Sequence, residues 1–167
     1  MLSVSAIPSS SELGRGSVSI RERQFIIDMG RYTEHIPKKP PLLPMPVVLK
    51  IDPRRQVVYS AFYGKITDAE MLDHRSAIAS DPDFRPHFTE IIDFSAVTEA
   101  IVSDKTVTAL AANPSLYSES VRHIVVAPAD SVFQLASKFK ELAHSSRPNF
   151  YIVRTRAEAY QLLPKPV

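Results

Sequence analysis

Cysteine is absent from the 167-residue chain. That excludes disulfides, thiolate nucleophiles and cysteine-based zinc or iron–sulfur sites, and it agrees with a reducing, cytoplasmic setting. Glycine is nearly as scarce: Gly14, Gly16, Gly30 and Gly64 are the full set. Three of them fall in the N-terminal region, so the part patterned for folding holds one. A GxGxxG turn or a P-loop brings backbone against a pyrophosphate through several residues without Cβ, which argues against a nucleotide-dependent enzyme of either type. No run approaches the roughly 18 apolar residues of a membrane span. The opening SAIPSSSELGRGS is mostly polar, unlike the apolar core of a signal peptide. The net charge is only +2, without the basic stripe and reading aromatics expected of a nucleic-acid binder. The five histidines, His35, His74, His87, His123 and His144, share no metal-ligand spacing such as HxxxH. No GxSxG, HExxH or nucleophile–base pair is present, so neither a cofactor, a metal site nor a catalytic residue is expected.

What is present is a core and a pattern. Hydrophobic residues make up 44% of the chain, enough for one domain plus tails. The organising stretch is Val121 to His144. It opens with a β-branched run, Val121 to Ala127, which Pro128 stops. A helical stripe of Val132, Leu135, Ala136, Phe139, Leu142 and Ala143 follows at once. A strand feeding a helix in this way is half of a parallel α/β unit.

Residues 1–44 read as a flexible Ser/Pro-rich tail and linker, with a short strand or helical turn within Arg21 to Met29. HIPKKPPLLPMP should be extended polyproline II. Lys38, Pro41 and Pro44 match a basic-xxPxxP spacing, although a stiff linker accounts for the same residues. The folded pattern begins just after Met45, which makes Met29 and Met45 candidate translation starts. Residues 45–163 form the α/β domain and 164–167 a C-terminal tail.

Within the domain, Val47 to Ile51 and Gln56 to Tyr63 predict an antiparallel hairpin around the turn chemistry of Asp52-Pro53. Thr67 and Glu70 make a capping box for a helix to Ser80, with Met71, Leu72, Ile78 and Ala79 inward. Arg75 falls within that stripe. Either it snorkels along its stem or it reaches a carboxylate, with Asp93 the candidate. Thr89 to Phe94 predicts a strand, Ser95 to Val102 a loop, and Ser103-Asp104 the start of a short helix with Val107, Leu110 and Ala111 inward. Asn149 to Val153 closes the sheet. Thr155 and Glu158 cap a last helix that runs to about Leu163. The order β-β-α-β-α-β-α-β-α implies a mixed sheet of about five strands with parallel, right-handed crossovers.

This order, with EIIDFSAVTEA at 90–100, HIVVAPADSVFQLA at 123–136 and TRAEAYQLL at 155–163, resembles the SpoIIAA-like superfamily, which contains STAS domains and CRAL-TRIO-type lipid-binding domains. It is most similar to bacterial STAS-like proteins of uncharacterised role. The resemblance implies helices packed mainly on one side of the sheet and a binding or regulatory module without catalysis. It also implies a place for a phospho-acceptor: Ser103 stands where STAS anti-sigma-factor antagonists carry their serine, although the DSSG motif is missing. Gln134 follows Phe133 where such proteins commonly carry a small residue.

Ligands of open α/β sheets sit beyond the carboxyl ends of the strands. That places a candidate ligand site at Asp93, Ser95, Asp130, Ser131 and Phe133, beside a helix N-terminus that favours anions. Each has a plainer reading. Asp130, Ser131 and Ser103 serve as helix caps, and Asp93 ties down the next loop. Phe133, about 120° off the core stripe, is a pocket wall or a partner surface, or else packs under a loop or the tail. His123 reads as a core histidine. The expected function is binding of a small or lipophilic ligand or a protein partner. The alternative is a phospho-regulated partner switch through Ser103. A homodimer through Phe133 or the tail is a further arrangement this surface allows.

Overall fold

The structure is a computed structural model, and it describes residues 46–164. The expectations for the N-terminal tail, its polyproline segment, the candidate starts at Met29 and Met45, and residues 165–167 lie outside the described residues. Five strands form one sheet in the order β1-β2-β3-β4-β5. Strands β1 (Val47–Asp52) and β2 (Val57–Thr67) pair antiparallel, with Asp52 opposite Val57. Asp52 makes the turn by accepting the N–H groups of Arg54 at 3.0 Å and Arg55 at 3.1 Å through Oδ1. Strands β3 (Thr89–Ile101), β4 (His123–Val126) and β5 (Phe150–Val153) then add in parallel. This is the expected class: α/β, a mixed sheet opening with an antiparallel hairpin.

Helices α1 (Asp68–Ser80), α2 (Asp104–Ala112) and α3 (Asp130–Ala143) are the crossovers between successive parallel strands. Right-handed crossovers that all advance in one direction put these three helices on one face of the sheet. The short α4 (Arg156–Gln161) follows the last strand and lies on the other face, where Arg156 reaches Asp93 of β3. The core on the three-helix face is built from Phe62, Ile66, Phe94, Val125, Val132 and Phe150. A second cluster of Val58, Ile78, Phe88, Tyr117 and Val121 fills the far end of the same face.

Strand β3 departs from expectation. Residues Ser95 to Val102, expected as a loop, continue the strand as far as Ile101. The reason is β2, which itself runs four residues past Tyr63 to Thr67. Register shifts lie between Ala61 and Tyr63 and between Gly64 and Lys65. Gly64 has φ +68, a conformation that suits a residue without Cβ at a bulge. Beyond it, Lys65, Ile66 and Thr67 pair with Glu99, Ala100 and Ile101. Asp93 therefore lies inside β3 and not at its end. It is level with Val126, the last residue of β4.

The helices follow their caps more closely than their apolar residues. Thr67 accepts the Ala69 N–H, and Glu70 accepts the Thr67 N–H at 2.7 Å. The inward residues of α1 are Met71, His74 and Ile78, spaced i, i+3, i+7. Leu72, one position off, is 44% exposed, and Ala79 is exposed as well. In α3 the buried residues are Val132, Ala136 and Ala143, whereas Leu142 is 47% exposed. In α2, Val107, Leu110 and Ala111 are buried as expected. The N-cap of α1 is the local feature most open to test. Thr67→Ala should lower stability by about 1 kcal/mol, read from the urea midpoint at constant m; an unchanged midpoint would mean the cap bonds are idle.

Candidate functional site

Strand β3 carries two buried acids three residues apart, Glu90 and Asp93. Side chains alternate along a strand, so they project to opposite faces. Glu90 faces α1–α3, and Asp93 faces α4.

On the three-helix face the sheet and helices form a half-open cavity of about 110 Å³. Aliphatic and aromatic side chains form most of its wall, among them Ile92, Leu110, Leu135, Ala136 and Phe139. The remainder is polar and charged: His74, Arg75, Glu90, Tyr117 and Arg147. Glu90 is 7% exposed. The Tyr117 hydroxyl donates to its Oε1 at 3.0 Å, and His123 Nδ1 lies 2.7 Å from its Oε2. Burial pushes the Glu90 pKa up. The His123 hydrogen bond and charge, with His74 and Tyr117 behind them, outweigh that and hold it below the ordinary carboxylate value. A carboxylate can only accept, so His123 Nδ1 carries the proton of their bond. Burial, then Glu90, raises the Tyr117 pKa and keeps its hydroxyl a donor. His123 is packed between the rings of Tyr117 at 5.0 Å and Phe150 at 6.1 Å, the core histidine expected.

His74 Nε2 lies 2.6 Å from the Ser60 hydroxyl. Ser60 is fully buried and does not border the cavity, so this pair is a structural hydrogen bond. Arg147 is 7% exposed, and its guanidinium lies 5.0 Å from the Phe139 ring centre. Its one side-chain hydrogen bond among the described residues is to Ser146 Oγ at 3.3 Å. Arg75 does not reach Asp93. It donates to the Pro114 carbonyl at 2.8 Å and is one of the residues lining the cavity.

On the other face, Asp93 is 1% exposed and holds three donors. Arg156 Nε donates to Oδ2 at 2.6 Å, Tyr59 OH to Oδ2 at 2.9 Å, and the Ser95 N–H to Oδ1 at 2.8 Å. Burial and then Asp93 raise the Tyr59 pKa, so that phenol stays protonated. Arg156 is the cation that α4 supplies, and the Thr155–Glu158 capping box holds that helix start in place.

The sequence-derived site residues fall into separate groups. Asp93 and Ser95 are joined by one backbone-to-carboxylate bond. Asp130 pairs with Arg154 at 2.8 Å, and Arg154 lies 4.0 Å from the centre of the Phe133 ring. Ser131 is exposed and makes no side-chain hydrogen bond among the described residues. The N-cap of α3 is Ala129, without a side-chain bond, so neither Asp130 nor Ser131 caps it. None of these five residues lines the cavity. Ser103 is the N-cap of α2: it accepts the Thr106 N–H, and its hydroxyl donates to Asp68 Oδ2 at 2.8 Å. A phosphate on Ser103 would stand against that carboxylate.

The apolar residues around the cavity read as core in the sequence, but none of its polar residues reads as a site residue. Glu90 carried a signal, a charge in register with Ile92 and Phe94 on one strand face. Arg147, in the polar stretch SSRPN, carried none.

No family model and no curated protein matches the chain. Among solved structures it is similar to an uncharacterized protein from the DUF3478 family with a SpoIIAA-like fold, from Shewanella loihica PV-4. The identity is 16%, the match covers 71% of this chain and 94% of that one, and the TM-score is 0.44. No helix among the described residues is long and apolar enough to cross a membrane.

Two outcomes test the polar cores. Asp93→Ala leaves Arg156 and Tyr59 without their acceptor and should cost about 2–3 kcal/mol in urea unfolding. That is less than a fully sealed pair because Arg156 stays partly in water. A loss within error of zero would remove Asp93 as the anchor of α4. His74 is held below its ordinary value of 6.5, chiefly by burial and against the pull of Glu90. The unfolded chain takes up that proton first, so the stability it contributes is complete above pH 6.5 and drains away as pH falls below it. His74→Gln should therefore flatten the melting-temperature profile below pH 6.5 relative to the parent. Parallel profiles would place the titration elsewhere.

Proposed function

We propose that the domain is a non-catalytic binding module of the STAS-like kind, and that it takes a small ligand into the cavity between the sheet and α1–α3. The observation that carries this reading is the cavity itself. Protein interiors are close-packed, with few voids larger than a water molecule. An apolar cavity of about 150 Å³ is known to hold a benzene-sized guest, so a cavity of about 110 Å³ suits a body slightly smaller. Its wall is apolar with a few polar groups gathered on it, the usual composition of a ligand site. Binding without chemistry is supported by what occupies the reactive groups. Glu90 is engaged by Tyr117 and His123, and the Ser60 hydroxyl is sealed against His74. The proposed site lies on the opposite sheet face from Asp93 and apart from the Asp130–Arg154–Phe133 surface.

Ala136 is the position to test, since it is buried, lines the cavity and ends in a single methyl group. Amide-shift titration of the full chain with fragments of about five to eight non-hydrogen atoms should perturb residues around Leu110, Ala136 and Phe139. Ala136→Leu should abolish those shifts at equal or higher melting temperature. A library that perturbs none of these residues, or an Ala136→Leu variant that binds as before, would overturn the reading.

A further inference from the structure

Arg147 is out of balance with its surroundings. It is more than nine-tenths buried, yet among the described residues it makes no ion pair and only one long side-chain hydrogen bond. No fully enclosed polar side-chain atom among the described residues lacks a partner. The Arg147 nitrogens that bond none of the described residues therefore keep some exposure, and Arg147 lines the cavity. A buried guanidinium stays charged and is costly without an anion. The charge count around the space points the same way. Arg75 and Arg147 oppose one carboxylate, Glu90, whose oxygens are already taken by Tyr117 and His123. One positive charge is left over.

Building on the cavity reading above, we propose that the ligand is a small monocarboxylate: an apolar body of three to six carbons among Leu110, Ala136 and Phe139, with its carboxylate on the free face of the Arg147 guanidinium and Arg75 adding charge. The pairing is chemically well matched. A guanidinium presents parallel N–H groups that meet both oxygens of a carboxylate, and such charge-assisted bonds are about twice as strong as neutral ones. A second carboxylate on the ligand would meet the apolar wall or Glu90, so dicarboxylates are excluded. An amine has Glu90 as its only anion, and that group has no oxygen to spare.

The test is calorimetric titration of the full chain with three matched pairs: butyrate and butyramide, hexanoate and hexanamide, benzoate and benzamide. Glutarate and hexylamine serve as charge controls. In at least one pair the carboxylate should bind roughly ten-fold tighter than its amide, with glutarate and hexylamine weaker than either. Arg147→Met should bring the carboxylate down to the level of the amide and leave the amide unchanged. Arg147→Lys, which keeps the charge but not the paired geometry, should retain the preference at reduced affinity; it serves in place of Arg147→Met where the latter does not fold. Equal binding of acid and amide, or a preference that survives in Arg147→Met, overturns the carboxylate assignment and leaves the cavity reading standing. Absence of binding by all eight compounds, together with unmoved amide shifts at Leu110, Ala136 and Phe139, overturns both.

Discussion

The structure depends on β3 being a buried strand with an acid on each side. A carboxylate removed from water must be met by donors or it destabilises the fold that hides it. Glu90 is met by Tyr117 from the segment after α2 and by His123 from β4, which ties the loop and the neighbouring strand to the three-helix face. Asp93 is met by Tyr59 from β2 and Arg156 from α4, which ties the last helix to the other face. The apolar clusters supply most of the burial, but non-directional packing does not choose which loop or helix end meets the strand. These two acids do, because their hydrogen bonds are satisfied in one arrangement only.

The same strand separates two kinds of polar site. Asp93 has a cation at hydrogen-bond distance and two further donors, so its charge is answered within the chain. The three-helix face is different. Its carboxylate is answered by Tyr117 and His123, while its deepest cation, Arg147, rests on an aromatic ring and a hydroxyl. A closed polar cluster rigidifies its surroundings, whereas an incompletely answered charge beside a cavity is a place for something else to bind.

Much of this fold was legible in the sequence. The Thr67–Glu70 and Thr155–Glu158 spacings mark helix starts that the structure reproduces with both bonds of each box. Strand and helix periods placed every element in order, because each is a local property. What was not legible depended on partners distant in sequence. Ser95 to Ile101 reads as a loop, since Ser, Thr and Glu dilute its alternation, and it is a strand because β2 extends alongside it past Gly64. Leu72 and Leu142 look like core and are not, since each lies one position off the inward stripe of its helix, whereas His74 takes a core position where Ser60 offers it a bond. The candidate residues Asp93 and Phe133 were singled out for chemistry that the structure shows engaged by Arg156 and Arg154. The positively charged end of the cavity has no local pattern at all: Arg147, Arg75 and Glu90 come from three separate segments and meet only on folding.

The ties within the helical layer are unequal. Asp68 accepts both the backbone N–H and the hydroxyl of Ser103, riveting the start of α1 to the start of α2, and Arg75 rivets α1 to the turn that follows α2 at Pro114. Two plates fastened at two points resist turning against each other. The third plate, α3, is joined to α2 by broad side-chain packing, to which a solvent-exposed pair, Lys138 with Asp104 at 2.6 Å, adds little. The layer is thus keyed on one side by directional polar ties and on the other by side-chain interlock, so α1 and α2 keep one relative orientation while α3 is positioned by packing.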